Sequence, residues 1–239
     1  MRNYRIHLIR HGLTEANIQG RYIGTTDLPL CRAGEKALLA LAKEDYPVVQ
    51  KVYSSPLCRC VQTAQILFPD AYVQTLPSMT EYHFGAFENK SLDELLQNAD
   101  FSAWFASGMT DAPPQGEEKE VFENRVCAGF HQMLLEIMQE GLTDVALVGH
   151  AGVLTLLLAK FGIPQRDPSG WSMEAGKGFS VTTSSQMWGR DQFFEVYQEI
   201  PIVRENIDLT APSYHVFPYD AKEFQKEEIL NEQIQKIDD

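Results

Sequence analysis

Two histidines occupy equivalent places in this chain. Each closes a short apolar run and opens onto glycine, in Leu8-Ile9-Arg10-His11-Gly12 and in Leu147-Val148-Gly149-His150-Ala151-Gly152. If both runs are strands of one parallel sheet, their rings face each other across a crevice at the strands' C-terminal ends, accessible to solvent. Arg10 adjoins the first histidine, and Arg59 falls in the first turns of a helix read over 57–68. A neutral imidazole can attack phosphorus, and guanidinium forks match phosphoryl oxygens as their charge develops. His11, His150, Arg10 and Arg59 together therefore point to phosphoryl transfer.

The elements that must position these side chains show as periodicity. Residues 4–10 read as a strand ending in the Arg-His-Gly turn, and residues 51–54 and 144–148 as two more. Ala37, Leu38, Leu41 and Ala42 recur at helical spacing within 34–46, stopped by Pro47. Ser55-Pro56 predicts the start of the 57–68 helix, whose free N–H groups would favour an anion. Ser91 and Glu94 form a capping-box pattern, opening a helix through Asn98. From 117 to 140 one apolar face carries Phe122, Val126, Phe130, Leu134 and Ile137, with Gly141 as C-cap, and 153–161 is a further helix. Residues 180–188 and 192–200, joined by Gly189-Arg190-Asp191, read as an antiparallel hairpin. The alternation places the chain in the α/β class. Residues 99–118 read as a loop-rich excursion that could cover a site, and 221–239 as a charged surface helix.

A formal net charge of -13 repels nucleic acid and anionic lipid, so neither is an expected partner, and an anionic substrate requires local arginines. No run approaches the length of a membrane span. The four cysteines, and a start that passes from Met1 into a strand without a signal-like apolar core, lead to the expectation of a cytoplasmic protein. Cys58 and Cys60 sit two residues apart, hence on different faces of a helix. With no tight His, Cys or acidic pair on one face, neither a metal nor another cofactor is expected.

The run Leu8 to Asn17 resembles the signature of the histidine phosphatase superfamily, which includes cofactor-dependent phosphoglycerate mutases. The likeness continues through Arg21, Gly24, Asp27 to Leu30, Gly34, the block Ser54 to Ala64, Glu81 with Phe84-Gly85, and Val148 to Val153. The resemblance implies a three-layer α/β/α sandwich with a mostly parallel central sheet and an antiparallel edge strand. It implies that His11 is phosphorylated, that Arg10, Arg59 and His150 embrace the phosphoryl oxygens, and that Glu81 is the proton donor. Asn17, Gly24 and Ala151 are carried over as phosphate- or substrate-binding positions. Such a carboxyl must have a raised pKa, to be protonated on arrival and ionised afterwards. Glu88, Glu117 and Glu118 are the fallback acids.

Residues 1–200 form the expected catalytic domain, with 99–118 as lid or substrate loop, and 201–239 a C-terminal extension. Ile23 stands where relatives often carry a polar residue, so a phosphate contact is missing or comes from Thr25 or Thr26. Glu81 passes directly to Phe84-Gly85, without the insertion expected of the mutase branch. Pro113-Pro114-Gln115-Gly116-Glu117 resembles an element common among the phosphatases, alpha-ribazole phosphatases and broad-specificity enzymes among them. The expected activity is hydrolysis of a small phosphorylated metabolite. Mutase-type transfer and a non-catalytic phosphate-binding protein are the alternatives, and a homodimer is left open.

Overall fold

In the computed structural model, which describes residues 2–202, strands β1 (Asn3–Arg10), β2 (Lys51–Ser54), β3 (Val73–Thr75) and β4 (Asp144–Gly149) are mutually parallel. They join β5 (Gly162–Ile163), β6 (Gly178–Ser184) and β7 (Phe194–Ile200) in one seven-stranded sheet ordered β3-β2-β4-β1-β6-β7-β5. Strand β6 runs against both β1 and β7, so the sheet is mostly parallel with an antiparallel side. The described helices are α1 (Glu15–Ile18), α2 (Arg32–Leu41), α3 (Cys58–Leu67), α4 (Leu92–Leu96), α5 (Ala99–Ala106), α6 (Lys119–Glu140), α7 (Ala151–Phe161) and α8 (Ser185–Asp191).

The period-2 alternation of the strands separates the faces. Ile6, Leu8, Val145 and Leu147 point into a core built with α6 and α7. Ile9, Ala146 and Val148 point the other way, onto Leu38 of α2 and Cys60, Ala64 and Leu67 of α3. The result is the three-layer α/β/α sandwich. The register pairs Arg10 with Gly149, so His11 and His150 leave adjacent parallel strands at the same level. Both histidines are thereby delivered to one end of the sheet.

Three readings of the sequence change. Residues 185–188 are not strand: Ser184 caps α8 through the Met187 N–H, and Trp188 turns into the core against Phe130 and Phe161. Strands β6 and β7 still pair antiparallel, but through a helix and not a tight turn. Part of 99–118 is helical, because Asn98 caps α5 and Phe101 and Trp104 bury against Tyr22, Phe84 and Phe87 in a separate aromatic core. The helix after Ser55-Pro56 begins at Cys58, whose N–H donates to Asp27 at 2.7 Å, so this terminus is capped by a carboxylate of the chain. The predicted capping box of Ser91 and Glu94 and the left-handed C-cap Gly141 (φ 71°) are as read. The charged helix over 221–239 lies outside the described residues.

On β1, His7 is buried, with Nδ1 2.8 Å from Ser180 Oγ and no partner at Nε2. Burial lowers its pKa from 6.5 to about 4. As pH falls through 6.5 the unfolded chain takes up this proton and the folded chain does not, so stability present above 6.5 is lost between 6.5 and 4. His7→Gln is expected to lower the pH slope of the unfolding free energy in that window by up to one proton, about 1.4 kcal/mol per pH unit. Urea unfolding at stepped pH measures it, and an unchanged slope refutes the assignment.

Candidate active site

The His11 ring is positioned by the turn that ends β1. His11 Nδ1 lies 2.6 Å from the carbonyl of Gly12, which can only accept, so Nδ1 carries the proton and the Nε2 lone pair is free to react. The Gly12 N–H donates to Thr63 Oγ1 at 2.9 Å, tying the turn to α3. Burial, followed by the charges of Arg59 and Arg10, holds the His11 pKa well below 6.5. The ring is therefore neutral at physiological pH, the protonation state a nucleophile needs.

His150 meets His11 edge-on, with ring centroids 5.2 Å apart. Its Nε2 lies 2.8 Å from Ser55 Oγ, and Cys60 Sγ lies 3.5 Å from the same nitrogen. Burial pushes the Cys60 thiol up to about 12, so it stays protonated. Ser55 thus meets the histidine, and its Oγ also accepts the Leu57 N–H at the start of α3 at 3.4 Å. Only 1% of His150 is exposed and it does not line the cleft, so the expectation that both rings open to solvent fails for His150; His11, itself 6% exposed, reaches solvent only where it lines the cleft.

Arg59 donates to the carbonyls of Thr26 and Gly24 at 2.9 and 2.7 Å, and its buried Nε has no protein partner. The N–H groups of Gly24, Thr25 and Thr26 point to the Glu88 carboxylate, as does the Thr26 hydroxyl at 2.6 Å. Residues 24–26 are therefore gripped through their carbonyls by Arg59 and through their N–H groups by Glu88. Thr25 and Thr26 spend these donors on Glu88, and Ile23 lines the cleft in their place. A Cβ at residue 24 would fall 1.7 Å from the Tyr82 carbonyl, so glycine is a packing requirement here. Arg10 donates to the Met173 carbonyl at 2.6 Å and is buried beside His11.

Glu81 is 5% exposed and borders the same cleft as His11. Its Oε1 accepts from the Tyr82 N–H and its Oε2 from the Gly152 N–H, both at 2.9 Å. A Cβ on residue 152 would sit 2.5 Å from Oε1, so only glycine admits the carboxyl at the start of α7. Burial raises its pKa above 4.5, while these two N–H groups, Arg59 and Arg125 draw it partly back.

Of the residues singled out from sequence, His11, Asn17 and Glu81 line the cleft; Arg10, Arg59, His150, Gly24 and Ala151 are buried and do not line it. Asn17 Oδ1 accepts from the N–H and hydroxyl of Thr14, closing the capping box of α1 and leaving the amide nitrogen as its donor. The outer wall comes from Tyr22, Tyr82, Phe84, Trp104, Met109 and Phe122, with Arg21 and Lys119. Glu88 and Glu117 are engaged elsewhere, Glu117 by Arg125 at 2.6 Å, and Glu118 holds the N-cap position of α6. Among the described residues no group of three or more His, Cys, Asp or Glu is arranged to hold a metal ion.

The family model for the histidine phosphatase superfamily (branch 1) matches residues 6–188, a span that contains every side chain of this site. The chain belongs to the histidine phosphatase superfamily. Within it, the chain is 34% identical over 166 residues to the adenosylcobalamin/alpha-ribazole phosphatase of Escherichia coli (strain K12), covering 67% of this chain and 80% of that protein. A broad-specificity phosphatase of Saccharomyces cerevisiae is 26% identical over 162 residues, covering 64% and 68%. The crystal structure of the alpha-ribazole phosphatase from Shigella flexneri superposes with a TM-score of 0.68 at 26% identity, covering 81% of this chain and 94% of that one. A phosphoglycerate mutase from Bacillus anthracis shares the fold, with a TM-score of 0.67 at 21% identity over 82% and 92%. As a histidine phosphatase superfamily member the chain is an enzyme of the phosphatase or mutase type, and no described helix is long and apolar enough to cross a membrane.

Two site features of this superfamily member were not read from its sequence. Trp104 and Met109 reach the cleft because α5 folds onto Phe84 and Phe87, a long-range packing that no local spacing signals. Lys119 and Phe122 follow from α6 starting beside the site. The Gly-Glu step before that helix was the available sign.

Proposed function

We propose that the protein is a phosphomonoesterase acting on a small phosphorylated metabolite through a phosphohistidine on His11, without metal or cofactor. The observation that carries this reading is one neutral imidazole, fixed by Gly12 to present Nε2, sharing a cleft with a buried carboxyl whose pKa is raised. In the first step the Nε2 lone pair forms a bond to phosphorus as the P–O bond to the leaving group breaks, and Glu81 gives its proton to the departing oxygen. In the second, the Glu81 carboxylate takes a proton from water as the water oxygen attacks phosphorus, releasing phosphate and His11. Arg10, Arg59 and His150, buried next to the His11 ring, stabilise the charge that develops on the transferring group.

The cleft walls favour hydrolysis over mutase-type transfer. Tyr22, Tyr82, Phe84, Trp104 and Phe122 give them an aromatic side, beside Arg21 and Lys119, which suits a leaving group with an apolar face better than a short doubly anionic acid. The names of the relatives, alpha-ribazole phosphatase and broad-specificity phosphatase, agree with such a preference. Four free cysteines agree with a cytoplasmic setting. Purified protein with EDTA is expected to release inorganic phosphate from an aryl phosphate. With 3-phosphoglycerate and a bisphosphoglycerate primer, faster formation of 2-phosphoglycerate than of phosphate would instead make it a mutase.

A further inference from the structure

We propose that Arg125, held by Glu117, is the residue that positions Glu81 for proton transfer. This inference rests on the reading of Glu81 as proton donor. Arg125 lies on α6 and is not part of the cleft wall, so it acts through the segment that carries Glu81.

A guanidinium has five N–H donors in a rigid fork, and all five of Arg125 are used. Nη1 donates to the carbonyls of Ser78 and Thr80 at 2.9 and 2.7 Å, and Nη2 to that of Glu81 at 3.0 Å. The Glu117 carboxylate takes the remaining two, from Nε at 2.6 Å and Nη2 at 2.9 Å. Residues 78–83 join β3 to a short turn at 85–87 and have no strand partner, so nothing in the sheet satisfies these carbonyls. Arg125 supplies what a ladder would.

Glu117 stitches the other half of the segment. Its N–H donates to the His83 carbonyl at 2.9 Å, its carbonyl accepts the Tyr82 hydroxyl, and its Oε2 accepts the His83 N–H at 3.4 Å. One turn along α6, Gly129 brings the helix so close that a Cβ there would lie 2.0 Å from Ser78 Oγ. The Glu81 carbonyl is thus fixed by Arg125, while its carboxyl is fixed by the N–H groups of Tyr82 and Gly152. Lysine, a point charge with three donors, cannot reproduce this fork. The charges facing Glu81 are Arg59 from α3 and Arg125 from α6, with the neutral rings of His11 and His150 nearby, and both arginines draw its pKa down.

The experiment compares two substrates in Arg125→Gln, Arg125→Lys and Glu117→Gln. An aryl phosphate with an acidic phenol leaves without help, whereas an alkyl phosphate needs the proton. Misplacing the donor is expected to lower kcat by roughly 100-fold for the alkyl ester and by less than about 10-fold for the aryl ester in Arg125→Gln. KM is expected to change little, and the alkaline limb of the pH profile to move upward as a cation facing Glu81 is lost. Arg125→Lys is expected to keep the charge but not the geometry, losing kcat on the alkyl ester without moving the limb. Glu117→Gln keeps the size of the side chain but turns an NH₂ against the N–H groups of Arg125 or His83, so it loosens the clamp. The same larger loss on the alkyl ester is expected, and it supplies the comparison if Arg125→Gln does not fold. Equal losses on both substrates in the folded variants would reduce Arg125 to a structural clamp and overturn the proposal. If Glu81→Gln itself shows no dependence on the leaving group, the reading of Glu81 has failed; if it does and the Arg125 and Glu117 variants do not, only this inference has.

Discussion

Replacing His11 with alanine is expected to lower turnover by roughly 10⁴- to 10⁶-fold and to abolish any covalently held phosphate. No other group can take over the nucleophile's position. His150 is tied to Ser55 and packed against Cys60 behind the missing ring, and it does not line the cleft. The fold should survive, because the turn keeps its Gly12 N–H bond to Thr63 and β1 keeps its ladders to β4 and β6. The local loss is one bond to the Gly12 carbonyl, about 1–3 kcal/mol if that group is left without a partner. Rapid acid quench of enzyme mixed with labelled substrate destroys a phosphohistidine, so the label is best trapped under alkaline denaturing conditions. Label retained by His11→Ala, or turnover equal to wild type, would remove His11 from the chemistry.

The frame that carries His11 was legible because burial writes a short-range pattern. The short apolar runs that close 4–10 and 144–148 report strands covered on both faces, and a histidine directly after each emerges at the sheet's end. Long-range choices left no such trace. Ser180 to Trp188 is rich in strand-favouring residues, yet Trp188 gains more by burying against Phe130 and Phe161, and the chain turns into α8 to let it. Likewise Glu88 looked like a fallback acid, but residues 24–26 spend their N–H groups on it. Arg125 went unread because its partners at Ser78, Thr80 and Glu81 lie 47, 45 and 44 residues away. Spacing within one helix cannot announce them.

The second large effect belongs to Glu81→Gln, expected to lower kcat roughly 10²- to 10⁴-fold on alkyl phosphates. The glutamine amide can keep one bond, since its oxygen accepts the N–H of either Tyr82 or Gly152, but its NH₂ meets the other donor, so the side chain must turn. The difference between substrates therefore isolates the proton: an aryl phosphate whose phenolate departs unaided should lose far less. The pH profile gives the sign independently. His11 stays neutral well below pH 6.5, so acidification to that point does not remove the nucleophile. Glu81, raised above 4.5 chiefly by burial, remains protonated to higher pH than an exposed carboxyl, and activity on alkyl esters falls as pH rises through its pKa. In Glu81→Gln that alkaline limb should disappear while whatever activity remains becomes insensitive to pH there. A variant that keeps the limb would assign the proton to a different group, and the cleft offers no second carboxyl among the residues that line it.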